Sequence, residues 1–149
     1  FRFFMLQYSA NSHLDFDLDQ AKERSEKNPV FYVQYACARI HGILAKSEIR
    51  NPKSETNLKV LIHPTELALI KQLIKFPDLV GEISQDYQVQ KLPFYAIGLA
   101  DRFHNFYEKC RVISKDNQKQ QARLALISAC QIVLKNCLAL MGISAPEKM

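Results

Sequence analysis

Residues 28–44 carry the clearest structural signal in the chain and read Asn-Pro-Val-Phe-Tyr-Val-Gln-Tyr-Ala-Cys-Ala-Arg-Ile-His-Gly-Ile-Leu. Apolar side chains recur there every three or four residues, at Val30, Val33, Cys37, Ile40 and Leu44. That spacing is typical of one buried face of an α-helix. Asn28 is a good N-cap and Pro29 suits the first helical turn. The stretch therefore predicts an amphipathic helix that begins at Pro29.

Helical signals also precede this stretch. Asp17 fits the N-cap of a helix that would run to about Lys27 or Asn28, with Gln20 as its capping-box partner. At the start of the sequence, Phe1 leads into an apolar cluster that has no N-cap before it. A helix of this composition needs a cap and a first turn upstream. We therefore expect the sequence to begin inside a helix of a longer protein.

Further helices follow downstream of a polar loop at residues 50–60. Pro64, Pro77 and Pro93 each suit the first turn of a helix. The last helix is expected to end at Gly142, a residue type favoured just after a helix C-terminus. No strand alternation is longer than the piece at Asp15–Asp19, and there are no internal repeats. The prediction is a single all-α domain over residues 1–149, a bundle of about five to seven helices.

The composition excludes several classes of protein and of site. The 149 residues are 48% hydrophobic and 23% charged, which are ordinary globular values. No uncharged apolar run is long enough to predict a membrane span. The four glycines are isolated, so there is no phosphate-binding loop, and the histidines and cysteines lack metal-ligand spacing. The sequence thus predicts no catalytic residue, no metal site and reduced, buried thiols of a cytosolic protein.

Positive charge is concentrated in two blocks. The net charge is +5, and the excess lies in residues 29–60, with five basic and two acidic residues, and in residues 101–149, with eight and four. Two basic blocks that converge in space would suit a polyanionic partner.

Aromatic residues stand beside basic ones in two predicted helices. Tyr32, Tyr35 and Arg39 share one helix, and Tyr107 lies near Lys109 on another. Exposed aromatic rings next to cations are what single-stranded RNA requires, because bases stack on the rings while cations contact phosphates. The same tyrosines could instead be core-edge residues with their hydroxyl groups at the surface. The pattern alone leaves both interpretations open.

Three longer motifs carry a family resemblance. They are Ser-His-Leu-Asp-Phe-Asp-Leu-Asp at 12–19 followed by the segment 27–39, Phe-His-Asn-Phe-Tyr-Glu-Lys-Cys-Arg-Val at 103–112, and Leu-Met-Gly-Ile-Ser-Ala-Pro-Glu-Lys-Met at 140–149. In this order they resemble the C-terminal part of arginyl-tRNA synthetases. The family's Asp-Ala-Leu-Arg signature would end at Arg2, with Phe in place of Leu. The resemblance spans essentially the whole sequence.

The resemblance implies an all-helical anticodon-binding domain of the class I synthetase type. In that family ATP, with Mg, and arginine are activated in an upstream Rossmann domain whose motifs are absent here. We therefore expect binding to the arginine tRNA without aminoacylation and no cofactor in this piece. The expected partners are that tRNA and the missing catalytic domain of the same chain. The whole enzyme is expected to be a cytoplasmic monomer, not bound to membranes, that joins arginine to its tRNA.

The resemblance also implies the residues that bind tRNA. The matching positions are Tyr35, Arg39, Tyr107 and Met149. In the family these positions surround splayed anticodon bases, with main-chain groups near the terminus reading the middle cytosine. Cys37 stands where the motif has His: if that His contacts RNA the contact is lost, and if it only packs, Cys is harmless. Gly42 also departs from the motif and would loosen this helix.

A helical protein-docking module is the alternative function. An apolar patch near Phe1 would suit such a role. The two functions differ in one requirement, because anticodon binding needs Tyr35, Arg39 and Tyr107 exposed on one surface near Met149.

Overall fold

The computed structural model describes residues 1–9, 11–47 and 56–149. Within these residues the chain forms seven α-helices, one 3₁₀-helix at Leu58–Val60 and no strand. The α-helices are α1 (Arg2–Leu6), α2 (Leu18–Lys22), α3 (Pro29–Lys46), α4 (Pro64–Leu73), α5 (Phe76–Asp86), α6 (Lys91–Lys109) and α7 (Asn117–Leu140). The predicted all-α bundle is confirmed. Residues 50–55 of the predicted polar loop lie outside the described residues.

Three long helices form the centre of the bundle. α3 packs against α6 and α7, α6 also packs against α7, and α4 covers another side of α6. The largest fully buried apolar side chains are Phe3, Ile40, Leu69, Leu99, Phe103, Phe106, Leu124, Ile127, Leu134 and Leu138. Burying one such side chain stabilises the fold by about 1.5–3 kcal/mol. This core holds α3 and α6 side by side.

The start of α3 is fixed by Asn28, as predicted. Its side-chain oxygen accepts hydrogen bonds from the backbone N–H groups of Val30 and Phe31. Its side-chain amide donates to the carbonyl groups of Ala21 and Glu23. Asn28 is buried, so one residue satisfies backbone groups at the start of α3 and at the end of α2.

Helix α2 is shorter than the sequence predicts. Asp17 caps it as expected, but the helix ends at Lys22 instead of about Lys27. The side chain of Gln20 donates to the Lys27 carbonyl group instead of completing a capping box with Asp17. The prediction was wrong because the Asn28 side chain donates hydrogen bonds to carbonyl groups near the end of α2. The helix can therefore end early without leaving those carbonyl groups unsatisfied.

Helix α4 is tied to α7 by a buried ion pair. His63 and Glu66 form a reciprocal capping box at the start of α4, where Pro64 occupies the first turn. Glu66 is 1% exposed and accepts a hydrogen bond from Arg123 Nε at 2.7 Å. Arg123 also donates to the Arg111 carbonyl group at 2.8 Å. The pair therefore fixes the segment that follows α6.

The four cysteines are buried and free, as expected. Burial raises the pKa of the Cys37 thiol to about 11 and that of Cys137 to about 12. The pKa of Cys130 is raised in the same direction by the same cause. These thiols remain protonated near neutral pH and are poor nucleophiles.

Helix α7 ends as the sequence predicts. Gly142 follows it with φ of 65°, a left-handed conformation that glycine adopts without steric cost. The helix is long and apolar enough to cross a membrane by length and composition. One face of α7 carries core residues that pack against α3 and α6, which accounts for much of this apolar character.

Candidate nucleic-acid interface

Tyr35 and Arg39 lie one turn apart on the exposed flank of α3 that faces α6. The spacing of four residues places both side chains on the same side of the helix. The Arg39 guanidinium carbon lies 5.2 Å from the centre of the Tyr35 ring. Arg39 is thus held over the tyrosine by a cation–π contact.

Tyr107, near the end of α6, completes a three-residue group with these two. The Arg39 guanidinium carbon lies 4.7 Å from the centre of the Tyr107 ring. Both tyrosines keep over a third of their surface accessible, 38% for Tyr35 and 36% for Tyr107. The packing of α3 against α6 therefore brings together three of the four predicted site residues, although they are far apart in sequence.

Three further rings extend this surface. Tyr35 is stacked with Phe31, at 6.4 Å between centres and 7° between planes, and with His104, at 5.9 Å and 24°. Tyr32 also contacts His104, at 4.8 Å between centres. Phe31 was not singled out from the sequence, although its spacing of four from Tyr35 is a usable signal. We call Phe31, Tyr32, Tyr35, His104 and Tyr107 the aromatic flank.

His104 is a partly buried member of this flank. Burial and the nearby Arg39 charge lower the pKa of its imidazole from 6.5, so the ring is neutral at pH 7. Its Nε2 atom is buried with no hydrogen-bond partner among the described residues. Burial, followed by the carboxylates of Asp101, Glu26 and Glu108, raises the pKa of the Tyr32 hydroxyl. His104 and Tyr32 are therefore uncharged at neutral pH.

An open cleft of about 500 Å³ lies against the aromatic flank. Its lining combines planar rings and Arg39 with two carboxylates, Glu26 and Glu108. Rings supply stacking surfaces, Arg39 supplies a cation and donors, and the carboxylates accept from amino groups. A second cleft of about 570 Å³ continues past Tyr107 and is lined by Lys109 and Arg111. The combination suits an unpaired nucleotide better than an apolar ligand.

The segment that ends at Met149 lies along a different flank of α3. Gln34 donates to the Ser144 carbonyl group at 2.8 Å, and His41 Nε2 lies 3.7 Å from a Glu147 carboxylate oxygen. Tyr35 and Arg39 are rotated by about 100–140° around α3 from the side that bears Gln34 and His41. Met149 is 53% exposed. The fourth predicted residue thus belongs to a segment on the neighbouring flank, not to the Arg39 contacts.

Candidate metal ligands and thiols were also compared across the described part of the chain. No group of three or more His, Cys, Asp or Glu side chains that could hold a metal ion occurs there. The most perturbed thiols are buried in the core and protonated. The exposed and chemically distinctive groups are those around Arg39.

A helical bundle that holds a cation between two exposed tyrosines offers the groups by which proteins bind unpaired RNA. Residues 33–149 match the family described as "DALR anticodon binding domain". The chain belongs to this family, as the sequence motifs predict, and the alternative of a docking module is not favoured.

Similar proteins are arginine–tRNA ligases. The chain is 44% identical over 152 residues to the arginine–tRNA ligase of Moorella thermoacetica and 44% identical over 156 residues to that of Heliobacterium modesticaldum. These matches cover 99% of this chain but only 27% and 28% of the two relatives. The chain therefore spans about a quarter of the length of these relatives.

Solved structures agree with this relationship. The arginyl-tRNA synthetase of Thermus thermophilus superposes with a TM-score of 0.83 at 30% identity, covering 99% of this chain and 26% of that one. That of Plasmodium falciparum superposes with a TM-score of 0.77 at 29% identity, with the same two coverages.

Proposed function

We propose that this chain binds the anticodon loop of an arginine tRNA as part of an arginine–tRNA ligase. The observation that carries the proposal is the Arg39 guanidinium held between the exposed rings of Tyr35 and Tyr107. Loop bases are unpaired and have two free faces, so exposed rings can stack on them. Each stacked base contributes about 1–3 kcal/mol to binding.

The role of Arg39 follows from its position. The two rings restrict its side chain before RNA arrives, which reduces the conformational entropy lost on binding. A planar guanidinium can donate several hydrogen bonds to a phosphate or to a base edge. Tyr35 and Tyr107 would then be the stacking surfaces beside it, and Met149 would contact the loop from the neighbouring flank of α3.

The ligase reaction is assigned to another part of the enzyme. This chain has only isolated glycines, and none forms a loop that could cradle ATP phosphates. We therefore propose that ATP, with its Mg, binds in a catalytic domain of the same enzyme. On this proposal that domain is the second partner, the enzyme is a cytoplasmic monomer, and the isolated chain does not activate arginine.

Binding to two anticodon stem-loops tests the proposal. The chain is titrated at one stated salt concentration with the stem-loop of an arginine tRNA and with a stem-loop of unrelated anticodon. Salt must be held fixed because phosphate contacts make affinity strongly salt-dependent. We expect the arginine stem-loop to bind at least about ten-fold more tightly, the effect of one or more base contacts. Equal affinities would contradict anticodon recognition.

A further inference from the structure

We infer that Arg2, Gln34 and His41 are positioning residues that hold the segment after α7 against α3, where it forms the second wall of the RNA surface. The segment comprises residues 142–149, and we call it the strap. The inference rests on the proposed function, because the strap's position matters only if RNA lies on this side of α3.

The first anchor sets the direction in which the strap leaves α7. Arg2 Nη1 donates to the Gly142 carbonyl group at 2.6 Å. The backbone N–H of Ile143 turns back to the Leu138 carbonyl group at 2.9 Å. A Cβ atom at position 142 would overlap the Arg2 guanidinium, and the positive φ disfavours any side chain there. Gly142 and Arg2 are thus sterically matched where the strap leaves α7.

The second and third anchors lie along α3. Gln34 binds the backbone of Ser144, and His41 contacts the carboxylate of Glu147. Seven residues of helix rise by about 10.5 Å. Three residues of extended chain span roughly 10 Å. The two spacings match, so the strap runs alongside α3, in the same direction, with its contacts in register.

Burial in the strap has the alternation of an extended chain. Ile143 and Ala145 are partly buried against the core, whereas Gly142 and Ser144 between and before them are exposed. Side chains of an extended segment point alternately to opposite sides. The strap is therefore seated by packing as well as by its polar anchors, and its outer side remains free for a ligand.

One face of α3 lies between the strap and the aromatic flank. By helical position, Ala38 and Gly42 fall between the Gln34 side and the Tyr35 side of α3, beyond Phe31 along the helix. A Cβ atom at Gly42 would have no neighbour within 4 Å, so the space above it is open. The strap lies on one side of these small residues, and Tyr35 with Arg39 lies on the other. The anchors thus set how far the strap stands from the aromatic flank.

A double-mutant cycle tests the role of Gln34. The four proteins are the unmodified chain, Gln34→Ala, the chain lacking residues 146–149, and the combination. Affinity for the arginine anticodon stem-loop is measured at one salt concentration, and urea unfolding shows that each variant is folded. Gln118→Ala, an exposed glutamine on α7, is the matched control.

We expect Gln34→Ala to weaken binding about 3- to 10-fold, the size of one lost hydrogen bond. In the shortened chain the same substitution should have no further effect on binding, because the outer end of the strap that Gln34 positions toward the RNA, residues 146–149, has been removed. Unchanged affinity of Gln34→Ala, or an undiminished effect in the shortened chain, would overturn this inference alone. Failure of the unmodified chain to prefer the arginine stem-loop would overturn the proposed function and this inference with it.

Discussion

Tyr107 is the residue at which the two readings of the aromatic pattern differ most clearly. A core tyrosine and a binding tyrosine both suit an amphipathic helix, so the sequence leaves the choice open. In the structure its ring is partly exposed and covers the Arg39 guanidinium, while Phe103 and Phe106 fill the core below it. Its free face is therefore available for a base.

Replacing Tyr107 should damage binding more than folding. We expect Tyr107→Ala to weaken binding of the arginine stem-loop by roughly 5- to 150-fold, the loss of one stacked base. The free energy of unfolding, measured in urea, should fall by less than the 3–5 kcal/mol typical of a buried aromatic ring. A large loss of stability with unchanged affinity of the folded fraction would assign Tyr107 to the core.

His104 makes stability depend on pH in a direction that can be worked out. Burial lowers the pKa of its imidazole in the folded chain below the value of 6.5 that applies when it is exposed. The unfolded chain therefore binds the proton more readily, and the free energy of unfolding falls as pH drops below about 6.5. It levels off below the folded-state pKa.

Urea unfolding between pH 7.5 and 5.5 should show this loss of stability in the unmodified chain. In His104→Asn the loss should be smaller, because the titrating imidazole is absent. Comparing the two proteins removes the contributions of carboxylates that they share. Identical pH dependence in both would show that His104 is not the group responsible.

At the scale of single helices, the stability of α3 does not require the glycine at position 42. Gly42 lies inside the helix, where glycine costs about 0.5–1 kcal/mol relative to alanine. The added methyl group would meet no atom within 4 Å. We interpret the glycine as keeping side chains away from the face of α3 between the strap and the aromatic flank.

Two glycine-to-alanine substitutions should therefore have opposite effects. Gly42→Ala is expected to raise the free energy of unfolding by about 0.5–1 kcal/mol. Gly142→Ala is expected to lower it, because φ there is 65° and the Arg2 guanidinium occupies the space. Thermal or urea unfolding of both variants measures this. A destabilised Gly42→Ala would contradict the open space above α3.

The ion pair between α4 and α7 should be the most sensitive polar contact between helices. Glu66→Ala leaves the Arg123 charge without its partner and removes the capping box, so we expect a loss of about 3–5 kcal/mol. Glu82→Ala removes an exposed partner of Lys91 and is the control, expected to leave the urea midpoint nearly unchanged. Equal effects of the two substitutions would contradict a special role for the buried pair.

The local sequence pattern predicts most of the helices but few of the contacts between them. The 3.6-residue period and the capping residues Asn28 and Gly142 predict where α3 begins and α7 ends. The early end of α2 was missed because it depends on a side chain seven residues away. Glu66 and Arg123 are 57 residues apart, and Gln34 and Ser144 are 110 apart. No periodicity links positions that meet only when the helices pack.

For the whole molecule, one part of the candidate site could be predicted from the sequence, and another part required the structure. The family resemblance supplied Tyr35, Arg39 and Tyr107, and the packing of α3 on α6 brings them into contact. The strap's anchors and the stacking of Phe31 and His104 on Tyr35 required three-dimensional information. We propose that one surface, centred on Arg39, binds an unpaired RNA loop.

The salt dependence of binding by Arg39→Ala is the decisive measurement for that surface. Affinity for the arginine stem-loop is followed from low to high salt for the unmodified chain, for Arg39→Ala and for Arg102→Ala, an exposed arginine on the opposite side of α6. We predict that Arg39→Ala lowers affinity and reduces the slope of log affinity against log salt by about 1, whereas Arg102→Ala changes neither. If Arg39→Ala binds with the affinity and slope of the unmodified chain, the RNA does not bind at this surface.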